Sequence, residues 1–179
     1  MTIGILSTRY AKALYSFALE RGEENEVYRE MKMLAHQLIQ VPELQRAIDK
    51  PILTGEQKEQ LLETAAGGEI SNSSKRFFRL VLQKEENENL RYMAAAYQTV
   101  YRKAKNIIYS RYISACEVDD EILKKIKKLI SKNYEESVTI ELESQVNPEL
   151  IGGFVLQIDD KKADASVSGE LKRMRKNFR

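Results

Sequence analysis

Apolar residues recur at three-and-four spacing over most of the first hundred positions, a pattern typical of helices. The connections between these segments are only a few residues long, and Gly or Pro ends several of them. The helices are predicted at 6–21, 23–40, 42–49, 54–66, 72–84 and 89–108, the fourth opening with a Thr54-x-x-Gln57 capping box. Because short connections make sequential helices neighbours, the pattern predicts an antiparallel six-helix bundle over residues 1–106.

The apolar pattern becomes alternating after residue 106, which indicates strands. Strands are predicted at 107–115, 137–143, 154–158 and 164–167, and helices at 120–134 and 169–178, the last one capped by Ser168. The chain is therefore predicted to be α+β. Its N-terminal six-helix bundle is followed by a small C-terminal domain, residues 107–179, with a short mixed β-sheet and two helices.

The first predicted helix is apolar on more than one side. One face carries Leu6, Tyr10, Ala13, Leu14 and Phe17, while Ala11, Tyr15, Ala18 and Leu19 continue around the cylinder. Such a helix has to be covered on several sides, either by its own bundle or by a partner that binds later. The pattern alone leaves both possibilities open.

Composition and charge exclude some classes of protein. The chain is 42% hydrophobic and 31% charged with a formal net charge of +2, which argues against a strongly basic nucleic-acid binder. The single Cys116 excludes an intramolecular disulfide and fits a reducing compartment. No apolar run approaches the roughly 20 residues of a membrane span, so membrane association is expected only through partners. The N-terminus carries no export signal, which predicts a bacterial cytoplasmic protein, although a processed mature chain would look the same.

No arrangement of residues predicts catalysis. His36 has no Cys, second His or paired carboxylate at ligand spacing, so no metal site, cofactor site or catalytic group is expected. The lysine-rich segment 124–132 and the basic C-terminal tail leave a nucleic-acid-binding module as the alternative function. A solvated polar face is the favoured interpretation, because aromatic stacking residues are absent from that helix.

The C-terminal segments L-I-G-G-F-V-L-Q-I-D, residues 150–159, and D-A-S-V-S-G-E-L-K-R-M, residues 164–174, resemble the end of the delta subunit of rotary ATP synthases. In mitochondria this family is called oligomycin-sensitivity-conferring protein. R-Y-A-K-A-L at 9–14, F-F-R-L-V-L-Q-K-E-E-N at 77–87 and S-A at 114–115 extend the resemblance over nearly the full chain. Ala165 departs from the family, which more often has Gly there.

The resemblance implies a non-catalytic stator subunit that joins the catalytic head to the peripheral stalk, on the cytoplasmic face of the bacterial plasma (inner) membrane. In this family the helical domain receives the N-terminal helix of an alpha subunit in a groove between its first and fifth helices. The candidate groove residues are Tyr10, Ala13, Leu14, Phe17, Phe78, Val81 and Leu82. The C-terminal domain is expected to meet the b subunits, with Phe154, Leu171, Met174 and Phe178 as candidates.

Overall fold

The computed structural model describes residues 3–50, 53–132, 134, 138–159 and 161–177. The chain is α+β, as its hydrophobic pattern predicts, and it divides into two compact units, Met1–Tyr101 and Arg102–Arg179. The division falls within the last turn of a helix, slightly before the boundary expected at residue 106. Each unit is described separately below.

Six α-helices precede the first strand in the described part of the chain. They are α1 (Ile3–Arg21), α2 (Glu24–Gln40), α3 (Pro42–Asp49), α4 (Gly55–Ala66), α5 (Asn72–Gln83) and α6 (Leu90–Ala104). Helix α6 is shorter than the expected 89–108. The backbone turns at Asn106, which has a φ of 52°, and the first strand begins at the next residue. Asn tolerates this left-handed conformation better than most residues, so the helix ends there.

The predicted capping box of α4 is confirmed. The Thr54 side chain accepts a hydrogen bond from the Gln57 backbone N–H at 3.3 Å, and the Gln57 side chain accepts one from the Thr54 N–H at 3.0 Å. Two backbone donors that would lack partners at the helix start are thereby satisfied. The helix ends at Gly67, whose φ of 129° is readily adopted by glycine.

The interior of the first unit is built from one face of each helix. Its fully buried apolar residues are Ala11, Ala18, Val27, Met31, Leu34, Ile48, Leu62, Phe78, Val81, Leu90, Ala94 and Tyr97. The Tyr97 hydroxyl donates to the Glu24 carbonyl oxygen at 3.2 Å, so this buried polar group has a partner. Burial raises the pKa of Tyr97, which keeps the ring neutral inside the unit.

Two carboxylates, Glu23 just before α2 and Glu30 in its second turn, hold the N-terminus of α5. Glu30 accepts hydrogen bonds from the Ser71 N–H at 2.6 Å, from the Ser71 hydroxyl at 2.8 Å and from the Ser74 hydroxyl. Glu23 accepts one from the Ser73 N–H at 2.9 Å. Carboxylates suit this position because the N-terminus of a helix carries unpaired N–H groups and a partial positive charge. The position of α5 is thereby fixed relative to α2.

We expect Glu30→Ala to lower the free energy of unfolding by about 1–3 kcal/mol, because it leaves the buried Ser74 hydroxyl and the Ser71 N–H without an acceptor. Urea denaturation followed by circular dichroism measures the loss. Glu26→Ala is the matched control, since Glu26 lies one helical turn earlier on α2 and is exposed. Equal stability of the two variants would contradict this role for Glu30.

The second unit is built on a four-stranded mixed sheet, as predicted. The strands are β1 (Ile107–Ser114), β2 (Thr139–Val146), β3 (Gly153–Ile158) and β4 (Lys161–Ser166), in the order β2-β1-β3-β4. The β1 and β2 strands are parallel, whereas the β1/β3 and β3/β4 pairs are antiparallel. Helix α7 (Asp120–Ser131) connects β1 to β2 and packs on β2, and α8 (Val167–Asn177) follows β4 and packs on it.

Two of the strands differ from their predicted ranges. The β2 strand extends to Val146, beyond the expected end at residue 143, because its pairing with β1 continues as far as Ser114. The expected start at residue 137 lies outside the described residues. The β4 strand begins at Lys161 because a tight turn after Ile158 returns the chain directly into pairing with β3. Cross-strand pairing therefore outweighs the weak strand propensity of the Lys-Lys-Ala sequence.

Candidate functional site

An open groove with a volume of about 540 Å³ runs between α1 and α5 in the first unit. The α1 helix contributes Tyr10, Ala13, Leu14 and Phe17. The α5 helix contributes Ser73, Arg76, Phe77, Arg79, Leu80 and Gln83. The groove is therefore formed by the two helices that the family resemblance implicates.

The periodicity of α1 explains how one helix serves both the interior and the groove. Ala11 and Ala18 are fully buried and face the interior. Tyr10 and Phe17, one residue earlier in each case, are half-buried and line the groove, where Ala13 is exposed between them. Because successive helical residues point in different directions, an apolar stripe wider than one face leaves its outer part uncovered.

Aromatic rings form much of the groove wall. Tyr10 on α1 and Phe77 on α5 meet edge to face, with ring centroids 6.5 Å apart. The Phe17 ring lies beneath two guanidinium groups. The Cζ atom of Arg21 is 4.5 Å from the ring centroid, and that of Arg76 is 5.9 Å away. Rings held in this way offer a rigid apolar surface that loses little conformational entropy on binding.

The charged residues that line the groove are both basic. They are Arg76 and Arg79, and no acidic side chain is among the lining residues. Arg79 Nε lies 2.6 Å from Glu59 Oε1 on α4, an ion pair whose arginine side chain is largely exposed. Glu59 therefore offsets the charge of Arg79, and Arg76 keeps the border of the apolar groove basic.

The structure corrects the predicted wall of α5. Phe78 and Val81 are fully buried in the interior, and Leu82 is half-buried and does not line the groove. The prediction followed the strongest apolar stripe of α5, and that stripe is the one that packs inside the unit. The neighbouring stripe, centred on Leu80, faces the groove. No signal in the sequence distinguishes Leu80 from an ordinary surface leucine.

In the second unit, three of the four residues predicted to contact a partner lie at the surface. Phe154 on β3 stacks on Tyr112 with centroids 5.4 Å apart and is 38% exposed. Leu171 and Met174 on α8 are 53% and 51% exposed. Phe178 lies outside the described residues. Side chains of this size and exposure are available to a partner.

The glycine pair at the start of β3 lies close to β4 and to the first residue of α8. Gly153 has a φ of 74°, and a Cβ atom there would lie 2.2 Å from the Ala165 carbonyl oxygen of β4. At Gly152 a Cβ would lie 3.1 Å from a methyl group of Val167. Glycine is therefore needed at position 153 for both its conformation and its lack of a side chain.

The start of α8 is capped by Ser166, not by the expected Ser168. The Ser166 hydroxyl accepts a hydrogen bond from the Gly169 N–H at 3.0 Å and donates one to Asp164 Oδ1 at 2.6 Å. The helix begins at Val167, immediately after β4, so the capping position falls two residues earlier. The Asp-x-Ser-x-x-Gly part of the sequence motif is thus a strand-to-helix junction.

Hydrogen bonds from the hydroxyl and the N–H of Ser166 hold the pKa of Asp164 below its ordinary value of 3.8. Because the folded chain has the lower pKa, this carboxylate stabilises the fold above pH 3.8, and the stabilisation is lost as the pH falls through the folded value. We expect Asp164→Asn to weaken this acid dependence in urea titrations at several pH values. Asp159→Asn, at an exposed turn, is the control. Identical acid profiles for wild type and Asp164→Asn would refute the role.

The described residues offer no site for catalysis by a bound metal ion. No group of three His, Cys, Asp or Glu side chains among them could hold a metal. His36 and Cys116 are both exposed. Within the same residues, no helix has both the length and the apolar character needed to cross a membrane. What the described surface presents is the groove and several exposed apolar side chains.

Comparison with known proteins agrees with the sequence resemblance. The family model described as the ATP synthase delta (OSCP) subunit matches residues 6–178. The ATP synthase subunit delta of Phocaeicola vulgatus is 38% identical over 179 residues, covering 99% of this chain and 96% of that protein. The ATP synthase subunit delta of Parabacteroides distasonis is 40% identical over 175 residues, covering 98% of this chain and 96% of that protein.

A solved structure shares the fold. A chain in the cryo-EM structure of the Toxoplasma gondii mitochondrial ATP synthase hexamer superposes with a TM-score of 0.71 at 18% identity, covering 97% of each chain. The family match over nearly the whole sequence and the level of identity to the bacterial relatives decide the assignment. The chain belongs to the ATP synthase delta (OSCP) subunit family.

Proposed function

We propose that the chain is a non-catalytic stator subunit of a bacterial rotary proton-translocating ATP synthase. It joins the catalytic head to the peripheral stalk and resists the torque of rotation during ATP synthesis. Helices α1–α6 act as an antiparallel six-helix bundle that binds the head, and residues 107–179 bind the stalk. Family membership supports this role, and the apolar groove between α1 and α5 is the observation that carries it.

The occupant of the groove in this proposal is the N-terminal helix of the alpha subunit. From Tyr10 to Phe17 the wall of α1 covers two helical turns, about 10 Å. A partner helix of similar length would place apolar side chains at i, i+3 or i+4, and i+7 against the rings, which is the helix-in-groove mode. The small Ala13 side chain allows the partner backbone to approach closely.

A subunit that resists torque must dissociate slowly from its partners, and it needs no reactive groups. An anchor under repeated torque must stay bound for many rotations, and differences in affinity between related complexes lie mostly in the dissociation rate. Buried aromatic and aliphatic contacts at the centre of a groove supply most of the binding energy in such interfaces. Arg76 at the border of the groove favours an acidic residue beside the apolar face of the partner helix.

The C-terminal unit is proposed to bind the b subunits of the peripheral stalk through Phe154, Leu171 and Met174, which are exposed apolar residues. Phe178 stays a prediction. The chain would sit at the cytoplasmic face of the bacterial plasma membrane, held there by its partners. The comparisons give no support to a nucleic-acid-binding function.

Depletion and re-addition of the chain test the proposal. In inverted membrane vesicles stripped of this subunit, we expect the isolated head to retain ATP hydrolysis while hydrolysis no longer drives proton pumping. Adding back the purified chain should restore both attachment of the head and pumping. Undiminished proton pumping by fully depleted vesicles would refute the stator role.

A further inference from the structure

The last turn of α6 is attached to the sheet of the second unit by the side chain of Arg102. The chain enters that unit at Arg102, and β1 begins at Ile107. The Arg102 guanidinium stacks on the Tyr109 ring of β1, with its Cζ atom 3.9 Å from the ring centroid. Its Nε donates a hydrogen bond to Glu141 Oε2 of β2 at 3.0 Å. One side chain from the helix therefore contacts two strands.

The register of the sheet explains how one guanidinium reaches both strands. Tyr109 and Glu141 are directly opposite each other in the parallel pairing of β1 with β2. Because neighbouring strands lie about 4.8 Å apart, opposite side chains point to the same face of the sheet and stay close together. The planar guanidinium of arginine can stack on a ring and donate a hydrogen bond at the same time, which the ammonium group of lysine cannot do.

This contact is partly buried, and the strand residues around it satisfy one another. The side chains of Arg102 and Glu141 are only 15% and 22% exposed, so salt screens their attraction less than at an open surface. The Tyr109 hydroxyl donates a hydrogen bond to the Glu143 carboxylate and accepts one from Arg111 at 3.1 Å. Two arginines and two glutamates thus surround one tyrosine, and their formal charges cancel. A satisfied polar network of this kind holds its side chains in one arrangement.

The stretch between Arg102 and β1 is less protected than the elements on either side of it. Residues 103–106 are exposed, and both the end of α6 and the turn at Asn106 lie within them. An exposed helix end opens more easily than a strand that is paired on both sides, as β1 is with β2 and β3. The Arg102 side chain bypasses this stretch, because it joins the helix directly to Tyr109 and Glu141.

We propose that Arg102, Tyr109 and Glu141 form a clasp that carries mechanical force. A force that reaches the second unit along α6 arrives at Arg102, because the chain enters the unit there. The clasp passes this force sideways into β1 and β2, so that residues 103–106 are not unwound and β1 is not drawn out of the sheet from its first residue. That the force in the cell is the torque of rotation rests on the proposed stator role, whereas the clasp itself does not depend on it.

A contribution to ordinary stability is the alternative role for the same contacts. An ion pair and a cation–π contact that only stabilise the fold slow its unfolding whatever the direction of an applied force. A clasp resists only a force that enters through Arg102. The direction of pulling therefore distinguishes the two roles, since forced unfolding is governed by the unfolding rate.

Single-molecule pulling of the full chain in two directions tests the proposal. In the first, handles on the two ends of the chain make the force pass through Arg102. In the second, one handle is attached to Cys116, the single cysteine, which is exposed after β1, and the other to the C-terminal end, so the force bypasses Arg102. We expect Arg102→Ala to speed unfolding of the second unit about tenfold in the first direction and far less in the second.

Lys103→Ala is the matched control, because it removes an exposed basic side chain from the same helical turn and should change neither rate. Glu141→Gln weakens the clasp from the strand side and should give the same directional effect as Arg102→Ala. Circular dichroism confirms that the variants are folded. Equal acceleration in both directions, or none in the first, would overturn the proposal. Proton pumping by reconstituted vesicles reports on the stator role separately, so the two failures are distinguishable.

Discussion

Replacing Gly153 with alanine is expected to destabilise the C-terminal unit by about 3 kcal/mol or more. The backbone at this position has a φ of 74°, which costs a residue with a Cβ atom about 1–2 kcal/mol. The added methyl group would also lie 2.2 Å from the Ala165 carbonyl oxygen, so β3 and β4 would have to separate. Since β3 pairs with both β1 and β4, this movement would disturb the centre of the sheet.

Gly22→Ala separates the two contributions. Gly22 has a similar φ of 70°, but nothing lies within 4 Å of a Cβ atom placed there. Gly22→Ala should therefore lower the free energy of unfolding of the helical unit by only the backbone contribution, about 1 kcal/mol. Urea titrations that follow backbone amide NMR signals in each unit measure both losses. Equal losses of unfolding free energy for the two variants would show that the close approach of β3 to β4 does not contribute to the cost of Gly153→Ala.

Ala13→Asp is expected to weaken binding of the alpha N-terminal helix about 100-fold or more, which corresponds to about 3 kcal/mol. Ala13 lies in the wall of the groove between Tyr10 and Phe17, where a partner helix would approach most closely. A carboxylate there would be removed from water on binding, against an apolar partner face. Calorimetric titration with a synthetic peptide of the alpha N-terminal helix measures the affinity.

Ser16→Asp is the matched control for the groove variant. Ser16 is exposed on the same helix, and its side chain does not line the groove. It adds the same charge to α1, so any general electrostatic effect on the peptide should appear in both variants. We expect near wild-type affinity for Ser16→Asp. If Ala13→Asp bound the peptide as tightly as Ser16→Asp does, Ala13 would not belong to the interface.

Local rules in the sequence were sufficient to locate most elements. The Thr54 capping box, the glycine after α4 and the alternating residues of β1 each act through near neighbours in the chain, and the structure confirms them. The mixed sheet also follows from the sequence, because a helix between the first two strands permits a parallel pair, whereas the tight turn after β3 requires an antiparallel one.

The groove wall on α5 could not be predicted in the same way. Phe78 and Val81 carry the stronger apolar signal, and they are used inside the unit. A residue that serves a partner is apolar and exposed at once, so Leu80, flanked by Arg76 and Arg79, is indistinguishable from an ordinary surface leucine in one sequence. Only the packing of α5 against α2, fixed through Glu30, decides which stripe faces outward.

The predicted cap of α8, Ser168, was wrong for a related reason. Ser166 and Ser168 both precede an apolar helical pattern, and either could cap the helix. Pairing of β4 with β3 continues to Ser166, opposite Gly153, and the helix starts at the next residue. The choice between the two serines thus depends on strand pairing, which brings together residues distant in sequence.

The central claim is that the groove between α1 and α5 receives a helix of the alpha subunit. Titrating the isotope-labelled chain with the synthetic alpha N-terminal peptide, and following its backbone amide signals by NMR, tests this claim directly. We predict saturable changes over residues 10–17 of α1 and 73–83 of α5, with the signals of β1–β4 unchanged. Absence of saturable binding, or changes confined to the C-terminal unit, would contradict the account.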